Sequence, residues 1–125
     1  MAPAFILLVD DEPLVCGTAS MALEHRGHKV QVMHGGKEAL NFFASHCDEI
    51  DLVVTDVHMP GMSGTEMAWQ MRQARGDLPV LFITGGDDHL PVWTKTTCGI
   101  LLKPFLPNRF VLAIENCLGR RPDAD

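Results

Sequence analysis

The sequence predicts an α/β protein, a doubly wound (βα)5 unit around a five-stranded parallel sheet. Three observations carry this. Five short apolar runs, at 5–9, 30–33, 52–55, 80–83 and 100–102, are mostly continuous rather than alternating, as in strands covered on both faces. The segments between them are long enough for helices, so the connections are crossovers and the sheet is parallel. At 125 residues, with 46% hydrophobic and 21% charged side chains, the chain has the size and composition of one domain. That domain is expected to fill residues 1–125, with a core over about 5–118 and a flexible tail at 119–125.

The elements follow in order. A first helix from Pro13 to about Arg26 opens on proline, where a missing N–H is harmless, turns Val15, Ala19, Ala22 and Leu23 to one face, and stops at Gly27. A second, from about Lys37 to His46, groups Ala39, Leu40 and Phe43 after Gly35-Gly36. A third starts at the capping box Ser63-Gly64-Thr65-Glu66, faces Met67, Met71 and Ala74 inward, and ends near Gly76. The segment from Asp87 to Thr97 is weak, interrupted by Pro91 and rich in threonine, and predicts a short or mobile helix. The last helix, from Pro107 to Leu118, buries Phe110, Val111, Ile114 and Leu118.

Composition excludes several classes of function. Acidic residues outnumber basic ones 16 to 10, for a net charge of −6, and the longest basic cluster is Arg120-Arg121, so no basic face is offered to nucleic acid. The run Phe5 to Val9 is too short to cross a bilayer. Cys16, Cys47, Cys98 and Cys117 are widely spaced, form no C-x-x-C pair and follow no secretory signal. They read as small buried hydrophobes of a reducing, cytoplasmic chain that needs no disulfide.

In an open parallel sheet, binding groups gather at the carboxyl ends of the strands. Here the first run ends in Asp10-Asp11-Glu12, the third in Asp56, the fourth in Thr84 and the fifth in Lys103. Clustered carboxylates repel one another, and burying them is costly unless a cation neutralises them. All-oxygen ligands beside an amine suit Mg²⁺. A metal, a hydroxyl and a lysine around one carboxylate can support phosphoryl transfer to that carboxylate, giving an aspartyl phosphate.

Four stretches then fall in register: Leu7-Leu8-Val9-Asp10-Asp11-Glu12-Pro13; Val54-Thr55-Asp56-Val57-His58-Met59-Pro60-Gly61-Met62-Ser63-Gly64; Phe82-Ile83-Thr84-Gly85; and Leu102-Lys103-Pro104-Phe105. In order and spacing they resemble the receiver domain of two-component response regulators, of the chemotaxis-regulator type. The resemblance covers about residues 5 to 118. It implies a flavodoxin-like fold with strand order 2-1-3-4-5 and a phospho-acceptor at Asp56. It also implies Mg²⁺ held by Asp11, Asp56 and the backbone carbonyl of His58 with Asp10 helping through water, phosphoryl oxygens held by Thr84 and Lys103, and a cis Lys103-Pro104 bond. The implied partner is a sensor histidine kinase or a histidine phosphotransfer protein, and the implied state is a monomer or a weak phosphorylation-dependent dimer. Such a protein transfers phosphate to itself and slowly loses it, and is not an enzyme of external substrates.

Two departures from the family pattern stand out. The position three before the lysine, where the family usually carries Tyr or Phe, is Ile100, and the chain has no tyrosine. Thr84 is followed by Gly85-Gly86 and Asp87-Asp88, a loop expected to be loose. Signalling is therefore expected to rely on movement of that loop and of the fourth helix, the segment Asp87 to Thr97, rather than on an aromatic switch, with the fourth-helix/fifth-strand face binding partners. Trp93, in the same segment, reads equally as a packed residue or as an exposed anchor for partners. His58 reads equally as a group overhanging the phosphate or as an exposed loop residue. His25-x-x-His28 lacks further ligands for zinc, so both histidines are expected to be solvated. Met62, Met67 and Met71 read as core.

Competing readings are weaker on specific residues. A haloacid-dehalogenase-like phosphatase needs a second Asp two residues after the nucleophile, where this chain has His58. A flavin-binding module needs a glycine- and hydroxyl-rich phosphate loop after the first strand, where this chain has three acids. Within the receiver reading, the chain is either a complete regulator or a receiver excised from a hybrid histidine kinase or other multidomain regulator.

Overall fold

In the computed structural model the described residues are 3–86, 90–91, 93–94 and 98–119. The elements run β1 (Phe5–Val9), α1 (Pro13–His25), β2 (Lys29–Met33), α2 (Gly36–His46), β3 (Leu52–Asp56), α3 (Gly64–Ala74), β4 (Val80–Thr84), β5 (Gly99–Leu102) and α4 (Pro107–Gly119). All five strands are parallel, in the order β2-β1-β3-β4-β5.

The two-residue period of a strand divides the core. Ile6 and Leu8 of β1, Leu52 and Val54 of β3, and Leu81 and Ile83 of β4 meet Cys16, Ala19 and Leu23 of α1 and Phe110, Ile114 and Leu118 of α4. Their neighbours Leu7, Val9, Val53, Val80 and Phe82 point the other way, onto Ala39 and Phe43 of α2 and Met67, Ala68 and Met71 of α3. Full burial of a side chain such as Phe82 or Phe110 stabilises the fold by roughly 1.5–3 kcal/mol. The helix boundaries have local causes: Gly27 takes a positive φ of 90° just past α1, and the Ser63 hydroxyl accepts the Glu66 N–H at 3.2 Å to cap α3.

Several expectations are corrected. β5 is an edge strand with Ile100 and Leu102 exposed, so it is not covered on both faces. Between β4 and β5, where a short or mobile helix is expected, the described residues include a 3-10 turn at Trp93–Thr94. Positions 87–89, 92 and 95–97 of that segment, and 120–125 of the tail, lie outside the described residues. Ala74 is exposed while Ala68 is buried, because α3 turns its 67/68/71 edge to the sheet and ends at Ala74. His28 is buried rather than solvated: its Nδ1 accepts the Ala4 N–H at 3.0 Å, and its Nε2 lies 3.9 Å from Glu115.

The cysteines are also corrected. Cys98 and Cys117 are joined as a disulfide, and only Cys16 and Cys47 are free. The packing of α4 beside β5 brings these two α-carbons to 5.1 Å, a proximity that a 19-residue separation in sequence does not disclose. No helix among the described residues is long and apolar enough to cross a membrane.

Candidate functional site: an acidic pocket closed by Lys103

The carboxyl ends of β1 and β3 are adjacent because the two strands pair directly, Val9 against Thr55. That pairing sets Asp10 and Asp11 beside Asp56. One carboxylate oxygen from each lies within 4.8 Å of the other two. Thr84 ends β4 on the far side of Asp56, and its carbonyl accepts the Lys103 N–H at 2.8 Å, which fixes where the lysine leaves β5. The bond that follows, Lys103-Pro104, is cis.

From there the lysine reaches back across the strand ends. Its Nζ lies 3.0 Å from Asp56 Oδ2, 3.1 Å from Glu12 Oε1 and 3.6 Å from Asp10 Oδ2. Burial works against the Lys103 charge, yet hydrogen bonds to Asp56 and Glu12, with the negative field of Asp10 and Asp56, raise its pKa above the usual lysine value.

Asp10 is the most buried of the acids. Its Oδ1 accepts the Glu12 N–H at 2.9 Å, while its Oδ2 has no hydrogen-bond donor among the described residues, since Lys103 stands beyond bonding distance. Burial raises the Asp10 pKa above its ordinary 3.8, against the pull of the Glu12 N–H and the Lys103 ammonium, and the charges of Asp56 and Glu12 add to the rise. Three converging carboxylates, one oxygen of which is buried and without a donor, form a donor set that fits a hard divalent cation.

The remaining predicted residues are placed as follows. The His58 N–H donates to Asp56 Oδ1 at 3.3 Å, and its side chain is exposed. Thr84 is buried, and its Oγ1 accepts the Gly86 N–H at 3.2 Å, so hydroxyl and loop are tied together. Ile100 pairs in register with Phe82 and is 44% exposed. Trp93 is partly buried, its ring edge-to-face with Phe82 at 6.0 Å.

Sequence reasoning gave no role to several residues that shape the pocket. Glu12 shares the lysine with Asp56, a role its place as the third acid of Asp10-Asp11-Glu12 could have signalled. The Asp10 carbonyl receives the Cys16 thiol at 3.3 Å and lies 3.1 Å from His34 Nδ1, which donates there when that nitrogen carries the proton. Neither contact has a sequence signature. Burial, with the negative Asp10 and Asp11 nearby, pushes the Cys16 thiol up to about 11, so it stays a neutral donor. Gly64 is required by contact: a Cβ there would lie 1.9 Å from the Asp56 carbonyl oxygen.

Comparison with known proteins gives one answer. Residues 6–115 match the response regulator receiver domain. The chain is 30% identical over 118 residues to the response regulator SaeR of Staphylococcus aureus, an alignment covering 92% of this chain and 50% of that protein. The chain thus spans about half the length of the curated relatives it matches. Among solved structures, a response regulator receiver domain protein from Clostridium thermocellum superposes with a TM-score of 0.85 at 28% identity, covering 94% of this chain and 95% of that one. The receiver domain of the hybrid histidine kinase CckA does so with a TM-score of 0.81 at 31% identity, covering 92% and 99%. The response regulator TrrA of Thermotoga maritima, solved in complex with Mg²⁺-BeF, gives 0.81 at 27% identity, covering 91% and 98%. With the flavodoxin-like strand order and the acidic strand ends already in place, these matches make the chain a member of the response regulator receiver domain family, the phospho-accepting signalling modules of two-component systems.

Proposed function

We propose that Asp56 accepts a phosphoryl group from a phosphohistidine on a sensor histidine kinase or histidine phosphotransfer protein, in the cytoplasm. An Asp56 carboxylate oxygen attacks phosphorus, the P–N bond to the partner's imidazole breaks, and its electron pair stays on nitrogen, which takes a proton from solvent. Asp10, Asp11, Asp56 and the backbone carbonyl of His58 would hold Mg²⁺ for this step. When bound, the ion supplies positive charge against the phosphoryl oxygens. Lys103 and the Thr84 hydroxyl hold those oxygens from the chain's side. Hydrolysis of the acyl phosphate returns the carboxylate, so the chain works as a switch and turns over no external substrate.

The single observation that carries this reading is the 3.0 Å contact of Lys103 Nζ with Asp56 Oδ2 inside a triad of carboxylates. An acyl phosphate on Asp56 replaces one negative charge by a larger one and redraws the Lys103 contacts with Glu12 and Asp10. Because Lys103 follows β5 directly and its N–H is bonded to Thr84, that change is transmitted to β5 and the β4–β5 connection. The exposed Ile100 and Leu102, with the partly buried Trp93 whose ring meets Phe82, then form the face whose arrangement partners read, without an aromatic at position 100.

Incubation with acetyl phosphate and Mg²⁺ followed by intact mass tests the assignment. A phosphate-sized gain is expected in the wild type and not in Asp56→Asn. The same gain in both proteins overturns it.

A further inference from the structure

Cys98 and Cys117 lie at the opposite end of the sheet from the acidic pocket. Cys98 enters β5 at its amino end, whereas Lys103 leaves the strand at its carboxyl end. The α-carbons of the two cysteines are 5.1 Å apart, within the span that a disulfide bridges without moving the backbone. Cys117 is 2% exposed and packs in the α1/α4 side of the core, while Cys98 is only partly buried at its margin.

The surroundings suit both oxidation states. Cys98 Sγ lies 3.1 Å from the Val80 carbonyl oxygen, a distance at which a thiol donates to it. The same carbonyl accepts the Cys98 backbone N–H at 3.1 Å. Loss of the thiol proton on oxidation therefore leaves no buried carbonyl unsatisfied, and its return restores a second donor.

We propose that Cys98 and Cys117 form a reversible thiol–disulfide site, a modification site separate from the Asp56 pocket, whose oxidising substrate is a low-molecular-weight disulfide of the glutathione type. The Cys98 thiolate, the more accessible of the two, attacks the reagent's S–S bond, forms a mixed disulfide and releases one thiolate. The Cys117 thiolate then attacks the Cys98 sulfur and releases the second. Two electrons pass from the cysteine pair to the reagent, and the two protons end on the departing thiols. The product pins the entry of β5 to α4 and closes a loop across 19 positions of the chain, which restricts the unfolded chain more than the folded one. The inference rests on this geometry and does not depend on phosphorylation of Asp56.

The test is exposure of the reduced full chain to oxidised glutathione, then alkylation of remaining thiols, intact mass and peptide mapping. The wild type is expected to lose two alkylatable thiols, to show a peptide linked through Cys98 and Cys117, and to recover both thiols with dithiothreitol. Cys117→Ser is expected to stop at a glutathione adduct on Cys98, and Cys98→Ser to form neither adduct nor bridge. The oxidised wild type is expected to unfold at a higher urea concentration than the reduced form. A bridge through Cys16 or Cys47, or retention of four alkylatable thiols in the wild type, overturns the proposal whatever the variants do.

Discussion

The ammonium of Lys103 lies 3.0 Å from the Asp56 carboxylate although 47 positions separate the two residues, and this contact joins the end of β5 to the end of β3 across β4. Replacing the lysine removes the cation that holds the developing phosphoryl charge. Lys103→Met is expected to slow phosphorylation by acetyl phosphate about 10²-fold, the usual cost of deleting one preorganised charge-stabilising donor. Its pKa in the folded chain is raised above 10.5, so the stability it contributes is fully present below that pH and is lost only as the pH rises through the folded value. Stopped-flow phosphorylation rates of the two proteins at neutral pH check the first statement, and a wild-type rate in Lys103→Met refutes it.

Asp10 is expected to weaken the metal-free fold. Its carboxylate is buried, one oxygen has no donor among the described residues, and its pKa stands above 3.8. The folded state therefore holds the Asp10 proton more tightly than the unfolded chain, so stability falls as pH rises above 3.8, and the penalty is fully present once the pH exceeds the folded value. Asp10→Asn is expected to raise the free energy of unfolding at neutral pH by about 1 kcal/mol in chelator, with the gain shrinking as pH falls toward 3.8. Urea titrations across pH decide it; a destabilised variant at neutral pH would show that the carboxylate is compensated in a way its contacts do not reveal.

Magnesium is expected to reverse that penalty. An ion that binds only the folded state at 100 times its Kd stabilises by about 2.7 kcal/mol. Thermal scans of the wild type should move upward with added Mg²⁺, and those of Asp11→Asn and Asp56→Asn should move much less. Equal shifts in all three proteins would place the ion elsewhere.

Local periodicity made the strands and helices legible, because each core residue repeats at the spacing of its own element: Leu7 and Val9 against α2 and α3, Ile6 and Leu8 against α1 and α4. The strand-end acids and Lys103 were legible because parallel topology alone brings carboxyl ends together. Contacts made by chance of packing were not. The strand order expected from the resemblance puts β5 at an edge, but nothing in the sequence leaves Ile100 and Leu102 bare there, sets Cys98 opposite Cys117, or turns His28 inward to the Ala4 N–H. Those depend on how α4 and the first residues lie on the sheet, which no local spacing encodes.

Gly64 supplies the last prediction. The residue follows the Ser63 cap, and its N–H donates to the Val57 carbonyl at 2.8 Å, so the start of α3 is drawn tight against the end of β3. A Cβ at this position would stand 1.9 Å from the Asp56 carbonyl oxygen and 2.8 Å from Thr55 Oγ1, both held by the sheet and by their own hydrogen bond. Backbone on both sides must yield, so Gly64→Ala is expected to cost about 3 kcal/mol, at the upper end for overpacking. Because the atom that gives way belongs to Asp56, the same substitution is expected to slow phosphorylation even where the protein is fully folded. Ser63→Ala, one residue earlier, removes the cap and the 3.1 Å contact with the Thr65 hydroxyl, touches no atom of Asp56, and is expected to cost about 1 kcal/mol with the phosphorylation rate intact. Parallel urea midpoints and acetyl phosphate rates separate the two effects, and equal rates in both variants would mean that the Gly64 contact does not position the acceptor.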